Sequence, residues 1–319
     1  MRKLLINKIA TNYTEFRNAH YYYNSAREGM FDLFENMINE GLIEKLFLPG
    51  YIGWSPKEGS GIFDPINNLK GLEIEYYKLN EDLSVNFQDI TKKIENIGEE
   101  KFAVLIVNYF GFTEPCMEEI SIIVHGKSGW IVEDNAHGFF TYQMMPNRYS
   151  DATFFSLHKM FPLKDGGSLY IKNKSLKDLH YKGVDLCSFK HNPWEFDIQE
   201  ISAIRIENYK IIEKLINQKD VNNYFVPLKT FLDTNIVPQT FPILIKVGDR
   251  NKIYELMNNE GYGVVSLYHT LIEPLMFEDY NESIKISKCI LNLPVHQDTD
   301  SNEYSGMIDM LINFCKETM

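Results

Sequence analysis

Cysteine is scarce in this chain. Cys116, Cys187, Cys289 and Cys315 are scattered among 319 residues with no Cys-x-x-Cys pair, so no disulfide framework is encoded and a reducing compartment is expected. The eight histidines form no His-x-His, His-x-x-x-His or His-Glu-x-x-His pattern, which speaks against a dedicated metal site. No apolar run approaches the roughly 18 residues a membrane helix needs. The opening MRKLLINKIATNY is too short and too interrupted in its apolar part for a signal peptide, so a soluble cytoplasmic protein is expected. Positive charge is in deficit, with 32 Lys and Arg against 44 Asp and Glu, a net charge of −12. That balance argues against nucleic-acid or anionic-membrane binding, while leaving room for a small anion held by local donors. There is no repeat, no low-complexity linker, no GxSxG elbow and no GxGxxG fingerprint. HGKSG (125–129) looks like part of a P-loop, but Ser121 stands where the first glycine belongs, and the segment precedes a strand.

What is present is a globular composition, 44% hydrophobic and 13% aromatic. Ser25-Ala-Arg-Glu28 has the form of a capping box and opens a helix to about Glu40, with Ala26, Met30, Leu33, Phe34, Met37 and Ile38 on one face. Strands are expected near 45–48, 72–79, 102–108, 129–134, 152–157 and 166–173, with helices near 87–97 and 115–124 between them. The run FAVLIVN (102–108) is apolar throughout, as a strand covered on both faces must be. Alternation of this kind predicts an α/β domain built on a mostly parallel sheet. After about residue 195 the pattern becomes that of a smaller α+β unit: helices near 200–217, 250–259 and 303–316, with strands near 240–247, 262–266 and 286–293. The expected division is 1–200 for the large domain and 201–319 for the small one.

Three features stand at the ends of the buried strands, where open α/β sheets bind ligands. Asp134 and His137 lie in VEDNAHG (132–138); an Asp there is either the cap of a turn or a carboxylate awaiting a cation. Lys159 follows an apolar strand, with Ser156 three residues before it and Asp165-Gly166-Gly167 after it. It is either a solvated loop residue or a shielded amine with nucleophilic character. The third feature is the helix start at Ser25, Ala26 and Arg27, whose free N–H groups, hydroxyl and guanidinium would suit a phosphate. An amine, a carboxylate and a phosphate cradle together fit pyridoxal 5'-phosphate (PLP). The glycine-rich EGSG (58–61) reads as a flexible turn, and the tyrosines at 21–23 as ordinary packing.

These residues resemble the DegT/StrS family of PLP-dependent sugar aminotransferases, of fold type I. LPGY (48–51), VNYFGF (107–112), VEDNAHG, FFSLHKMFPLKDGG (154–167) and LNLPVHQD (291–298) resemble family segments in the family's order. The resemblance implies that Lys159 forms the Schiff base with PLP and that Asp134 holds the pyridine nitrogen. It places His137 near the ring, Ser156 on the phosphate with Ser25, Ala26 and Arg27, and Trp54 or Tyr51 over the ring face. It further implies amino transfer from a donor such as glutamate to a keto sugar, most plausibly nucleotide-linked, in a homodimer. The alternatives are a PLP-dependent sugar dehydratase or eliminase, and a non-catalytic binding or regulatory protein. This chain departs from the family pattern in having Ser156 three residues before the lysine instead of five. It also has six positions from Lys159 to Asp165, His158 in place of threonine, and Ser-Ala-Arg at the phosphate helix. Arg205 and Asn208 are further candidates, as residues reaching a partner subunit's site.

Overall fold

The structure, a computed structural model, describes residues 20–219 and 221–319. The opening segment read above for a leader lies outside the described residues. A seven-stranded sheet takes its strands from positions 20–171. They are β1 (His20–Tyr23), β2 (Lys45–Pro49), β3 (Glu73–Tyr77), β4 (Phe102–Val107), β5 (Trp130–Asp134), β6 (Ala152–Ser156) and β7 (Gly167–Ile171). Their spatial order is β1-β7-β6-β5-β4-β2-β3, parallel from β3 to β6 and antiparallel where β7 and β1 complete the edge. This is the mostly parallel sheet expected of fold type I. The tyrosines at 21–23 form the edge strand itself.

The helices between the strands bury apolar stripes against the sheet. In α1 (Ala26–Asn39), Met30, Leu33, Phe34 and Met37 are buried, and the helix packs on β6 and β7. Ser25 is its N-cap, with Oγ accepting from the Glu28 N–H at 3.3 Å. Only half of the capping box forms: the Glu28 carboxylate accepts from the Asn24 N–H and side-chain amide, both at 3.2 Å. α2 (Phe87–Glu95) and α3 (Met117–Gly126) flank the parallel strands, and HGKSG is the end of α3 and the turn into β5. The short α4 (Phe139–Met144) follows β5, and α5 (Leu157–Met160) follows β6.

A second sheet of three antiparallel strands, β10-β9-β8, is made of β8 (Phe225–Pro227), β9 (Thr240–Ile245) and β10 (Ile290–Pro294). Around it lie α6 (Ile198–Gln218), α7 (Arg250–Asn259), α8 (Asn281–Cys289) and α9 (Tyr304–Glu317). Two expectations fail here. The stretch 262–266 contributes only an isolated bridge, Val265 with Asn292, because Gly263, at φ +61°, breaks the extended backbone. The stretch 286–293 is not one strand: Ser283, Ile286 and Ser287 are buried on a helical period in α8, and extended backbone begins at Ile290. The four cysteines are unpaired. Among the described residues no helix is long and apolar enough to cross a membrane, and no group of His, Cys, Asp and Glu could hold a metal ion.

Candidate active site

The carboxyl ends of β4, β5 and β6 lie side by side. Val107 pairs with Asp134, and Asp134 with Phe154, so Asn108, Asp134 and Ser156 reach one edge of the sheet. Alternation along β5 separates its two acids. Glu133, buried on one face, accepts from the Asn108 amide at 3.0 Å and the Ser150 hydroxyl at 2.5 Å, with Lys172 Nζ at 3.6 Å. Asp134, on the other, accepts from the Ala136 N–H at 2.8 Å through Oδ1. Burial raises its pKa, against the Ala136 hydrogen bond and the Lys159 charge, which lower it.

Lys159 is not in a loop. It sits on α5, whose neighbours Leu157, Met160 and Phe161 are buried in an aromatic cluster with Phe139, Phe140, Phe155 and Trp194. That packing fixes the turn and leaves the lysine facing the cavity. Burial pushes its pKa down, as does the charge of Arg27, while Asp134 and Glu58 oppose the shift. Its Nζ lies 3.2 Å from His137 Nε2. The Phe110 N–H donates to His137 Nδ1 at 3.4 Å, and burial keeps the imidazole neutral. With Nδ1 accepting, the ring proton belongs on Nε2 and points at a lysine that must accept it. The arrangement therefore calls for a neutral amine.

The Asp-Gly-Gly turn has a steric reason. Gly166 has φ +126° and donates to Asn24 O at 2.7 Å. A Cβ on Gly167 would stand 2.2 Å from Ala26 N and 2.3 Å from Ser25 C. Only a glycine lets the first turn of α1 approach the lysine hairpin this closely. Gly167→Ala is expected to lower stability by about 1–3 kcal/mol, the usual cost of overpacking, and to weaken phosphate binding. A thermal melt paired with a PLP titration checks both, and an unchanged titration would detach Gly167 from the cradle.

Ser25, Ala26, Arg27, Trp54, Asp134, His137, Ser156 and Lys159 all line one cavity of about 750 Å³. Ser156 is buried, with Oγ 3.3 Å from His158 Nδ1. Trp54 is 43% exposed at the cavity wall. Tyr51 is not there: it is fully buried, and its hydroxyl accepts from the Tyr268 N–H at 2.7 Å. EGSG is a turn, as expected, yet it too runs along the cavity, with Gly59 at φ +67°. Arg205 and Asn208 are buried within this chain. Arg205 is part of the cavity wall, and Asn208 donates to His296 O at 3.0 Å.

Sequence reasoning missed Tyr268. Its ring lies on the backbone of Gly53, where a Cβ would come within 2.1 Å, and burial and the Asp134 charge raise the pKa of its hydroxyl. The glycine pair in PGYIGW was the available signal for a close approach.

No family model matches the chain. Solved structures do. A proposed sugar aminotransferase of Streptococcus pneumoniae, Spr1654, in its PMP form superimposes with a TM-score of 0.73 at 14% identity, over 96% of this chain and 88% of that one. A DegT DnrJ EryC1 StrS aminotransferase from Brucella abortus gives 0.68 at 13% identity, over 97% and 92%. The fold is that of the DegT/StrS aminotransferases. Helicobacter pylori PseC, an aminotransferase involved in the biosynthesis of pseudoaminic acid, shares this DegT/StrS fold with a TM-score of 0.69 at 13% identity, over 93% and 87%. A serine hydroxymethyltransferase of Aeropyrum pernix is 32% identical over 119 residues, 36% of this chain, and the chain spans about a quarter (25%) of its length.

Proposed function

We propose that the protein is a PLP-dependent aminotransferase acting on a sugar. The observation that carries this reading is the meeting, in one cavity, of a shielded lysine, a buried carboxylate and the N-terminus of α1, on a fold shared with sugar aminotransferases. The donor set fits the cofactor group by group. The helix start at Ser25, Ala26 and Arg27, with Ser156, would hold the phosphate. Asp134, buried without an ion-paired cation among the described residues, would hold a protonated ring nitrogen. Trp54 or Tyr268 would cover the ring. When bound, PLP supplies an aldehyde and an electron-withdrawing ring.

The chain's own residues do the rest. Lys159 Nζ, whose charged form burial disfavours, takes the proton from the α-carbon of the amino donor. His137 Nε2–H orients that amine, and the Phe110 N–H fixes the tautomer. In this reading glutamate is the donor and a nucleotide-linked keto sugar the acceptor. Residues 1–200 form the cofactor domain and 201–319 the small domain, with α6 crossing the division. The working unit is a cytoplasmic homodimer with its sites at the interface.

The test is a spectral titration. Protein incubated with PLP is expected to show a visible band that glutamate bleaches, with one equivalent of 2-oxoglutarate released per site. Nucleotide-linked keto sugars then restore the band and yield an amino sugar. A band that glutamate leaves unchanged, or product formed without 2-oxoglutarate, would overturn transamination from glutamate.

A further inference from the structure

Phe110 is fully buried, with φ +58° and ψ 19°, the left-handed region that a bulky residue adopts only at a cost. Such a conformation persists where its surroundings hold it. Here two other segments do so. The Phe110 carbonyl accepts from the Gln239 N–H at 2.7 Å. The three segments touch at the next residue, Gly111, which has φ +90°. A Cβ there would stand 2.6 Å from Val237 O, 3.1 Å from His137 O and 3.2 Å from Gln239 N. The hydroxyl of Thr141, a buried residue of α4, closes the junction. Its Oγ1 accepts from the Val237 N–H at 2.9 Å and lies 2.7 Å from Gly111 O and 3.1 Å from Val237 O. The hydroxyl has one proton, and the shorter contact assigns it to Gly111 O.

Residues 237–239 end the link from β8 to β9. The second sheet is therefore fastened to the turn after β4, and that turn supplies the N–H that meets His137 Nδ1. We propose that Thr141 is a positioning residue for His137. Its hydroxyl ties the 237–239 strap to Gly111 and so keeps Phe110 in the conformation whose N–H holds the imidazole proton on Nε2, facing Lys159. The consequence for Lys159 rests on the transaminase reading; the tautomer does not. A valine at 141 would fill nearly the same space but leave the Val237 N–H buried without its acceptor and Gly111 O without its donor. That loss falls on strap and turn together. The Phe110 contact with Nδ1, at 3.4 Å, is long, so a small displacement breaks it. The imidazole is then free to carry its proton on Nδ1 and present a bare Nε2 to Lys159. A neutral amine can face either tautomer, whereas an ammonium can face only the bare nitrogen. The second tautomer thus favours the charged lysine, which cannot take up a proton.

The experiment uses the full chain with ¹⁵N-labelled histidine, as wild type, Thr141→Val and Thr141→Ser, before and after incubation with PLP. Imidazole nitrogen spectra, assigned against His137→Gln, report the tautomer directly. Without PLP, wild type and Thr141→Ser are expected to hold His137 with its proton on Nε2. In Thr141→Val the ratio of tautomers should move about 3- to 10-fold toward Nδ1–H, the worth of one neutral hydrogen bond. With PLP, kcat of Thr141→Val on glutamate should fall by a similar factor while KM changes less, and Thr141→Ser should restore it. Equal tautomer ratios in wild type and Thr141→Val would overturn the proposal, as would a wild type with its proton on Nδ1. A shift in Thr141→Ser as large as that in Thr141→Val would make packing the cause and overturn it too. If Thr141→Val does not fold, hydrogen exchange of wild type decides. The amides of Phe110, Val237 and Gln239 are expected to open together, and a Phe110 amide that exchanges while the other two stay protected overturns the coupling. A wild type that takes up no PLP would sink the transaminase reading separately, and the tautomer measured without PLP would still decide the role of Thr141.

Discussion

Lys159→Ala, incubated with PLP, is expected to show no visible band and to lose the glutamate half-reaction by at least about 10³-fold. General acid–base catalysis alone is worth roughly 10²–10⁴, and this substitution also removes the amine that faces His137. The amine's lowered pKa makes the effect specific. In the folded protein the neutral form persists to lower pH than an ordinary lysine allows, so the wild-type rate should hold well below the ordinary lysine range and fail as pH drops through the shifted value. The sign of the stability effect is opposite to that of a structural lysine. Charging a buried amine costs the fold, so the penalty grows as pH falls through the folded-state pKa, and Lys159→Ala escapes it. A variant that melts no lower than wild type, without band or half-reaction, is the expected result. A variant that keeps the band would remove Lys159 from the chemistry.

Asp134→Asn is expected to lower the half-reaction by about 10²–10³-fold, because a neutral amide cannot hold the ring nitrogen protonated and a preorganised charge at a reacting system is worth several kcal/mol. Its effect on the cofactor-free protein should run the other way. Burial raises the folded-state pKa of Asp134. Its contribution to stability is therefore complete below the unfolded-state value and is lost as pH rises through the folded one. Near neutrality the ionised form is a cost, and Asp134→Asn removes it. Melts of the free protein should be equal or higher for the variant, while PLP should stabilise it less than it stabilises wild type. If the free variant melts lower, Asp134 is a structural cap.

The parallel strands were legible because burial on both faces leaves uninterrupted apolar runs, as in 102–107, and α1 because its cap and stripe agree. The candidate site was legible where polar residues interrupt those runs at their ends, as Asp134 and Lys159 do. Other parts carry no such local signature. β1 is made of aromatics that would suit either packing or an edge strand, and only pairing with β7 decides between them. Cys289 and Ile290 are both apolar, so nothing in composition marks the change from α8 to β10. Arg205 had a signal, a charge within an apolar helical stripe, but the polar partners it finds at Gln297 and Gln239 are a property of three dimensions. Tyr268 reaches the site through contact with Gly53, 215 positions away in sequence.

The edge of the large sheet also sets a folding order. β1 is held between β7 and a bridge from Tyr22 to Val184, and His20 meets Ser168 across 148 residues of chain. Contacts of such separation form late, since the intervening loop must close first. α1 follows β1 directly and docks on β6 and β7, so the helix start that would grip a phosphate is among the last pieces to settle. In refolding, cofactor uptake should lag the recovery of helical signal, and a ligand added early should speed the final phase by capturing that helix as it lands.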